Sequence, residues 1–225
     1  MIIDKQKSII ITDRLLSSWI RCKRKAWLDL FETREMKRWS AHRSLLLDHQ
    51  YKSLVSYCSE KSGKGIQACE EGRKTVMALR LKGSFPSGEL LEAHPTIIEK
   101  IQGKSCWGKF KYRPVIIRQG KRLTQVHRLS LALWGFLLEG LQQSPVNEGL
   151  VISLSSEKLE VEKLILTDKL KTQLYDSIIK IKEDLTSKVI PKLTSNRKKC
   201  SICSWKDFCD KEAYKVGDLS EVSGI

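Results

Sequence analysis

The stretch that decides the fold is Cys200-Ser201-Ile202-Cys203-Ser204-Trp205-Lys206-Asp207-Phe208-Cys209, a C-x2-C-x5-C pattern near the end of the chain. The chain has seven cysteines in all, an odd number that argues against a disulfide framework. Thiolates gathered this closely in a reducing compartment usually hold a metal or an iron–sulfur cluster. The stretch therefore predicts a metal or cluster site rather than three small buried side chains.

Three cysteines leave a four-coordinate site one ligand short. Cys58 and Cys69 have nothing in their surroundings to mark them, and Cys106 lies close to a predicted strand, where it could be part of the core. Cys22 lies at the end of a predicted helix, among cationic residues that favour a thiolate. We therefore predict Cys22 as the fourth ligand, which would staple the N-terminal and C-terminal segments together.

The ligand spacing distinguishes two kinds of site. Structural zinc is usually held by two short pairs of ligands, and one distant cysteine plus C-x2-C-x5-C departs from that habit. A cubane cluster, each of whose iron corners takes one thiolate, fits the spacing better. An iron–sulfur cluster is the prediction.

Charge and composition narrow the function classes. The 225 residues predict one domain or one domain with a small appendage, and 41 Lys plus Arg against 26 Asp plus Glu give a net charge of +15. A basic surface favours a polyanion, most often nucleic acid, with an anionic membrane or mere solubility as the alternatives. No apolar run approaches the ~18 residues of a membrane helix, and the N-terminus lacks the pattern of a secretion signal. A cytoplasmic protein without a membrane partner is expected.

The hydrophobic pattern predicts a mixed α/β fold with a modest sheet. Strands are predicted within residues 8–12, 89–99, 112–118, 150–154 and 159–166. Helices are predicted from Thr12 or Asp13 onward, over 41–59, 68–80 and 124–141, and from Thr167 to near Pro191. One domain over 1–225 would comprise a helical part at 1–85, an α/β core at 86–190 and the cysteine-rich segment at 191–215.

The residues Cys-Lys-Arg-Lys-Ala-Trp-Leu at 22–28, together with the C-terminal triplet, resemble the iron–sulfur RecB-like nucleases. These include the AddB-type helicase–nuclease subunits and the CRISPR-associated exonucleases of the adaptation step. The resemblance covers about Thr12 to Asp210. It implies a PD-(D/E)XK restriction-endonuclease-like core, a small mixed sheet flanked by helices, clasped by a [4Fe–4S] cluster. The implied cluster ligands are Cys22, Cys200, Cys203 and Cys209.

The catalytic motif of that family is replaced in this chain. The family uses an Asp after a Pro, then an acidic residue and a Lys two positions apart on the next strand, and the carboxylates hold Mg²⁺. These positions fall on Thr96, Ile116 and Arg118. Neither Thr nor Ile can replace a carboxylate as a ligand of a hard divalent metal, and Arg cannot be deprotonated. The substitutions predict an inactive site that needs no Mg²⁺.

Other positions of the family pattern are also recognisable. The Gln-x-x-x-Tyr that contacts DNA in the family falls on Ser130 and Trp134. The helix His matches His49, and His42 fits almost as well. Cations near the former site, with interleaved aromatic rings, predict a surface that grips DNA through phosphates and stacking, although Trp134 itself is more typical of a core residue. The predicted DNA-binding residues are Arg113, Arg118, Lys121, Arg122, Arg128 and Trp134.

Three functions follow from these observations. The first is a DNA-binding or scaffold subunit, engaging single strands or duplex ends beside an active helicase or nuclease partner. The second is an active Mg²⁺-dependent DNA exonuclease that uses migrated acids such as Glu92 or Glu99. The third is a protein–protein adaptor that binds no nucleic acid and whose positive charge serves an acidic partner.

Overall fold

The computed structural model describes residues 9–38, 41–58, 62–118, 122–155, 158–187, 189–194 and 196–216. The helices within these ranges are α1 Asp13–Arg21, α2 Lys23–Phe31, α3 Ala41–Tyr57, α4 Gly65–Glu70, α5 Gln125–Gln142, α6 Asp168–Thr186 and α7 Lys206–Val216. The strands are β1 Ile10–Thr12, β2 Ser62–Lys64, β3 Thr75–Met77, β4 Leu81–Ser84, β5 Leu90–Ala93, β6 Ile97–Ser105, β7 Gly108–Ile117, β8 Glu148–Ser155 and β9 Lys158–Ile165. None of the helices described here has the length and apolarity that a membrane crossing requires.

The strands form two mixed sheets. The smaller sheet has the order β1-β5-β4, with β1 parallel and β4 antiparallel to β5. The larger sheet has the order β2-β3-β6-β7-β8-β9, in which the β2–β3 and β7–β8 pairs are parallel and the other pairs antiparallel. Helix α5 is the crossover that a parallel β7–β8 pair requires. The predicted mixed α/β class is confirmed.

The larger sheet is covered on both faces. In the main core, α5 packs on one face of the sheet and α1 and α6 pack on α5, while a smaller cluster lies on the other face beside α3. The smaller cluster includes Ile97, Val115 and Ile117, with Leu54 of α3 partly buried against it. Burial on both faces explains why β7 ends in a continuous apolar run instead of alternating.

Several predicted elements are confirmed. Thr167 caps α6, since its Oγ1 accepts a hydrogen bond from Leu170 N at 3.3 Å. Thr12, rather than Asp13, caps α1, with its Oγ1 accepting from Leu15 N at 3.1 Å. The apolar stripe of α6 is buried along its whole length and comprises Leu170, Leu174, Ile178, Ile181 and Leu185. Helix α5 and the β8–β9 hairpin also lie where the pattern predicts them.

The predicted helix over 68–80 is wrong. Helix α4 ends at Glu70, and Gly72 adopts a φ of 66°, a left-handed conformation that stops the helix. The chain then forms β3, whose Thr75 and Val76 pair with β6. Both of these side chains are buried, and β-branched residues favour such a pleated, packed environment over a helix.

Candidate functional site

The four predicted ligand cysteines line one cavity of about 730 Å³. Cys22 lies between α1 and α2, where the backbone becomes extended with a φ of −166°. Cys203 N donates to Cys200 O at 3.0 Å, and Cys209 N donates to Trp205 O at 3.0 Å, so a tight turn and the first turn of α7 place the triplet. The tertiary structure thus brings the distant Cys22 to the C-terminal triplet.

The thiols of this cavity influence one another. Burial is the main cause that raises the pKa of Cys203 and of Cys209, and the nearby Cys22 raises both further. Against burial, a hydrogen bond from Arg24 lowers the pKa of Cys209. Thiols in this setting hold their protons, and a bound metal would offset the cost of ionising them.

The arrangement of the thiols bears on which group they fit. Among the residues that the structure describes, no three His, Cys, Asp or Glu side chains are placed to hold one metal ion. A structural zinc needs four donors around one point, at about 2.3 Å for sulfur. An iron–sulfur cage takes one thiolate at each iron, so its ligands surround a volume. Four cysteine thiols around one cavity are a donor set of the kind that both groups use.

The other three cysteines lie elsewhere. Cys58 Sγ contacts Met77 Sδ at 3.7 Å, Cys69 Sγ donates to Gly65 O at 3.8 Å, and Cys106 Sγ donates to Leu141 O at 3.6 Å. Burial raises the pKa of Cys69 to about 12. None of the three lines the cysteine cavity. This placement favours Cys22 over Cys58, Cys69 and Cys106 as the fourth ligand.

Contacts between side chains also join the two ends of the chain. Asp29 on α2 accepts a hydrogen bond from the fully buried Trp205 through Nε1 at 2.8 Å. The same carboxylate forms ion pairs with Lys25 Nζ at 2.5 Å and Lys37 Nζ at 2.8 Å. Arg38 N donates to Ser204 O at 3.0 Å. These hydrogen bonds and ion pairs hold the C-terminal segment against α2 through side-chain and backbone contacts.

Replacing Asp29 with Asn is expected to lower the free energy of unfolding by about 3 kcal/mol at pH 7, because two lysines lose their anion. Burial raises the pKa of Asp29, but hydrogen bonds from Lys25, Lys37 and Ser18 outweigh it and hold that pKa well below the usual 3.8. The stabilisation is therefore present above about pH 4 and is lost at lower pH. When urea unfolding is measured between pH 7 and pH 3, the difference in unfolding free energy between the wild type and the variant should become smaller as the pH falls.

The matched control is Glu212→Gln, which removes the carboxylate of the exposed Lys215–Glu212 pair. The free energy of unfolding of this control variant is expected to stay within about 0.5 kcal/mol of the wild type. Equal stabilities of the Asp29 and Glu212 variants would contradict the role given to the network.

Four of the positions that match the nuclease pattern line a second cavity of about 480 Å³, whereas Arg118, at the position of the motif Lys, does not. The pairing of Ile97 with Val115 sets Thr96 and Ile116 next to each other at one end of β6 and β7. Ser130 and Trp134 lie one turn apart on α5 and line the same cavity. The structure therefore places these four side chains around one cavity.

The second cavity, which we call the motif cavity, is rich in cations. Arg14, Arg21 and Arg38 line it, are exposed, and form no ion pair with any other residue that the structure describes. Lys25 and Lys37 also line it, but Asp29 engages both. Three arginines are thus available to an anion from solution.

The carboxylates of the motif cavity do not fit Mg²⁺. Asp13 Oδ2 accepts from Trp134 Nε1 at 3.0 Å and from His94 N at 3.1 Å, while its buried Oδ1 has no hydrogen-bond partner among the described residues. Asp29 is held by Lys25 and Lys37. Magnesium requires octahedral oxygen ligation, usually with one or two carboxylates beside substrate phosphates and water. A carboxylate in the core and another neutralised by lysines do not supply it.

The acids proposed as migrated ligands lie outside the motif cavity. Glu99 Oε2 pairs with Arg113 Nη2 at 2.7 Å, and its Oε1 accepts from Tyr57 Oη at 2.9 Å. Glu92 Oε2 pairs with Arg80 Nη2 at 2.7 Å in the smaller sheet. Neither glutamate lines the motif cavity, and this placement disfavours the exonuclease alternative.

Two of the predicted DNA-binding arginines are engaged by carboxylates. Arg113 lies between Glu99 and Glu148, with Nη1 at 2.5 Å from Glu148 Oε1. Arg118 Nη1 lies 3.4 Å from Glu162 Oε2, and its Nη2 donates to Ser153 Oγ at 3.1 Å. Neither arginine lines the motif cavity. Sequence reasoning could not separate them from Arg14 and Arg38, because their partners come from other strands.

The remaining predicted residues are placed as follows. Arg122 and Arg128 are exposed, and Lys121 lies outside the described residues. Trp134 is 5% exposed and belongs to the core, with one edge at the motif cavity. His49 is half-buried on α3 and is not among the residues that line the motif cavity, whereas its neighbour Gln50 is. His42 also lies on α3.

The two cavities share a wall. The residues that line both are Arg21, Lys25, Val126, His127 and Ile202. His127 Nδ1 accepts from Thr124 N at 3.1 Å, and burial, followed by the charges of Arg21 and Arg118, lowers the pKa of His127. His127 is therefore neutral at pH 7. Since Asp29 pairs with Lys25, the positive charge of the shared wall comes from Arg21.

Comparisons with known proteins bear on the fold alone. No protein-family model and no curated protein match the chain. Eleven chains of solved structures match it. One, described as "Crystal structure of SSO0001", has a TM-score of 0.53 and 13% sequence identity, with coverage of 90% of this chain and 86% of that chain. At this identity the likeness supports a shared α/β architecture and says nothing about activity.

Proposed function

We propose that this protein binds DNA through the motif cavity without cleaving it, on a PD-(D/E)XK-like fold whose two ends are clasped by a [4Fe–4S] cluster. One observation carries the proposal. Four of the six positions that match the nuclease pattern, namely Thr96, Ile116, Ser130 and Trp134, line a single cavity. Within the described part of the chain, the three arginines of that cavity form no ion pair, and its carboxylates, Asp13 and Asp29, are already engaged.

The arginines of the cavity suit phosphate. Arg14, Arg21 and Arg38 each present a planar guanidinium that matches phosphate oxygens in two-point contacts. Such contacts neutralise backbone charge and do not depend on sequence. Binding to single strands or frayed duplex ends, without a preferred sequence, is what this set of side chains provides.

The same cavity lacks the groups for hydrolysis. Cleavage in the resembling nucleases depends on carboxylate-bound Mg²⁺ that polarises the scissile phosphate and activates water. Thr96 and Ile116 occupy the corresponding positions, and Asp29 is neutralised by Lys25 and Lys37. A retained binding groove without catalysis fits a scaffold subunit that presents DNA to a helicase or nuclease partner.

The cluster would be held by Cys22, Cys200, Cys203 and Cys209. It would supply a covalent link between α2 and the segment that leads into α7, in addition to the Asp29 network. Because Arg21, Lys25 and Ile202 line both cavities, the clasp would also support one wall of the DNA-binding cavity.

Fluorescence anisotropy with a labelled 24-nucleotide single strand tests the proposal. We expect binding whose logarithmic affinity falls with the logarithm of salt concentration with a slope of about −2 or steeper, since the three arginine contacts alone contribute about 0.7 each. The strand should stay intact on gels after incubation with Mg²⁺ or Mn²⁺. Degradation that requires the metal and is abolished by Glu99→Ala or Asp13→Ala would establish the exonuclease instead.

One observation favours the adaptor alternative. Helix α3 exposes Leu47, Tyr51 and Val55, spaced four residues apart and each at least half exposed. Such a stripe is typical of a helix that packs on a partner. An affinity for DNA that stays unchanged between low and high salt, or no binding at all, would favour this function.

A further inference from the structure

The β6–β7 hairpin carries a concentrated positive charge. Between residues 100 and 113 the chain has no acidic residue. The basic residues of this segment are Lys100, Lys104, Lys109, Lys111 and Arg113. Since Arg113 is engaged by Glu99 and Glu148, the uncompensated charge belongs to the four lysines.

The hairpin leads away from the motif cavity. Its base, where Ile97 pairs with Val115, adjoins Thr96 and Ile116 of that cavity. Its tip is the Ser105–Gly108 pair at the other end of the two strands. At about 3.3 Å per residue, the strands separate tip and base by roughly 25 Å.

Within the part of the chain that the structure describes, no carboxylate neutralises the lysines of the hairpin. Lys104 and Lys109 are exposed and form no ion pair with any residue that the structure describes. Lys100 Nζ donates to Gly72 O at 2.6 Å and lies 5.3 Å from the centre of the Phe110 ring. Lys111 Nζ donates to Pro145 O at 2.8 Å. These partners are neutral, so they orient the ammonium groups without cancelling them.

Aromatic packing holds the tip in one conformation. Tyr112 is fully buried and donates through its hydroxyl to Arg73 O at 2.8 Å. Trp107 and Phe110 pack edge-on against it, with ring centres 5.7 and 5.9 Å away. Ser105 Oγ donates to Phe110 O at 2.6 Å across the tip. A surface ordered in advance loses little entropy on binding.

The side chains of the tip suit nucleic acid better than a lipid surface. Membrane-surface segments combine cations with exposed aromatic side chains that enter the interface. Here Trp107 and Phe110 are turned into the packing around Tyr112. The part that faces solvent presents ammonium groups, which contact phosphates as point charges.

We infer that the tip of the β6–β7 hairpin is a second phosphate-binding site, about 25 Å from the motif cavity, so that a bound nucleic acid strand occupies both. This inference rests on the proposed binding function. It further specifies how long a strand must be to contact both sites. Roughly seven phosphates of a B-form strand, at 3.4 Å each, span the gap.

Comparing strands of two lengths on the full chain tests the inference. The Lys104→Glu/Lys109→Glu variant should bind a 24-nucleotide strand about tenfold more weakly than the wild type, because two solvent-exposed ammonium contacts are reversed and such point-charge contacts contribute less than two-point guanidinium contacts. A 4-nucleotide strand, measured by competition, reaches one site at a time and should keep its affinity for the motif cavity. The matched control is Lys169→Glu/Lys171→Glu on the exposed face of α6, for which neither affinity should change.

The outcomes separate the two proposals. If the wild type binds both strands and the hairpin variant matches it on the 24-nucleotide strand, the second site is wrong and the motif cavity stands. If the hairpin variant loses the same affinity for the 24-nucleotide and the 4-nucleotide strands, the lysines belong to the same site as the motif cavity, which also overturns the inference. If the wild type binds neither strand, the proposed function fails and the second site fails with it. Circular dichroism and unfolding midpoints equal to the wild type confirm that the variants are folded.

Discussion

Replacing Cys22 with Ser is expected to remove the iron and the broad visible absorbance of anaerobically purified protein. It should also lower the thermal unfolding midpoint by about 10–20 °C. Cys22 lines the same cavity as Cys200, Cys203 and Cys209, yet it is far from them in sequence. The link that it completes closes a loop of roughly 180 residues, for which the chain-entropy argument gives about 5 kcal/mol. For a chain of this length, each kcal/mol corresponds to about 2–4 °C.

Cys58→Ser is the matched control for this prediction. Cys58 contacts Met77 and lies outside the cysteine cavity, so its replacement should leave iron content and absorbance intact. A colourless wild-type protein that contains stoichiometric zinc would contradict the cluster. Loss of iron in the Cys58 variant, with Cys22→Ser still coloured, would contradict the choice of the fourth ligand.

The double replacement Arg14→Glu/Arg38→Glu is expected to weaken binding of a single strand about 100-fold at low salt, since each charged contact contributes about 1.5 kcal/mol or more. Both guanidinium groups line the motif cavity and are free of ion pairs with other described residues. Two lost phosphate contacts should also make the salt dependence of the affinity shallower by about one unit of slope. Anisotropy titrations between 50 and 200 mM salt measure both effects.

The control for the arginine pair is again Lys169→Glu/Lys171→Glu, which changes the net charge equally at exposed positions of α6 that line neither the cysteine cavity nor the motif cavity. If this control weakens binding as much as the arginine pair does, attraction depends on overall charge. In that case the motif cavity has no special role.

Local patterns in the sequence predicted much of the fold. The five-residue stripe of α6, the apolar face of α5 and the hairpin of β8 and β9 follow directly from hydrophobic period and capping. The failure at residues 68–80 has a physical cause. Gly72 ends the helix, and β3 forms because β6 offers Val76 a partner that the local sequence does not reveal.

The candidate site also has features that the sequence predicted and features that it did not. Spacing alone selected Cys200, Cys203 and Cys209 as one group, because residues three and six positions apart must lie close together in any compact turn. The resemblance to the nucleases predicted that Thr96 and Ile116 stand at positions of metal-binding acids, and neither side chain carries a carboxylate.

Which cations are available was decided by the tertiary structure. Arg113 and Arg118 are engaged by glutamates from neighbouring strands, whereas Arg14, Arg21 and Arg38 around the motif cavity form no ion pair within the part of the chain that the structure describes. The sequence by itself determined the residue types, the local elements and the spacing of the cysteine triplet. The tertiary structure determined that Cys22 meets the triplet, that the four motif positions surround one cavity and which charges face it. The physical reason is that ion pairing and burial depend on distances between residues far apart in the chain, which no local pattern contains.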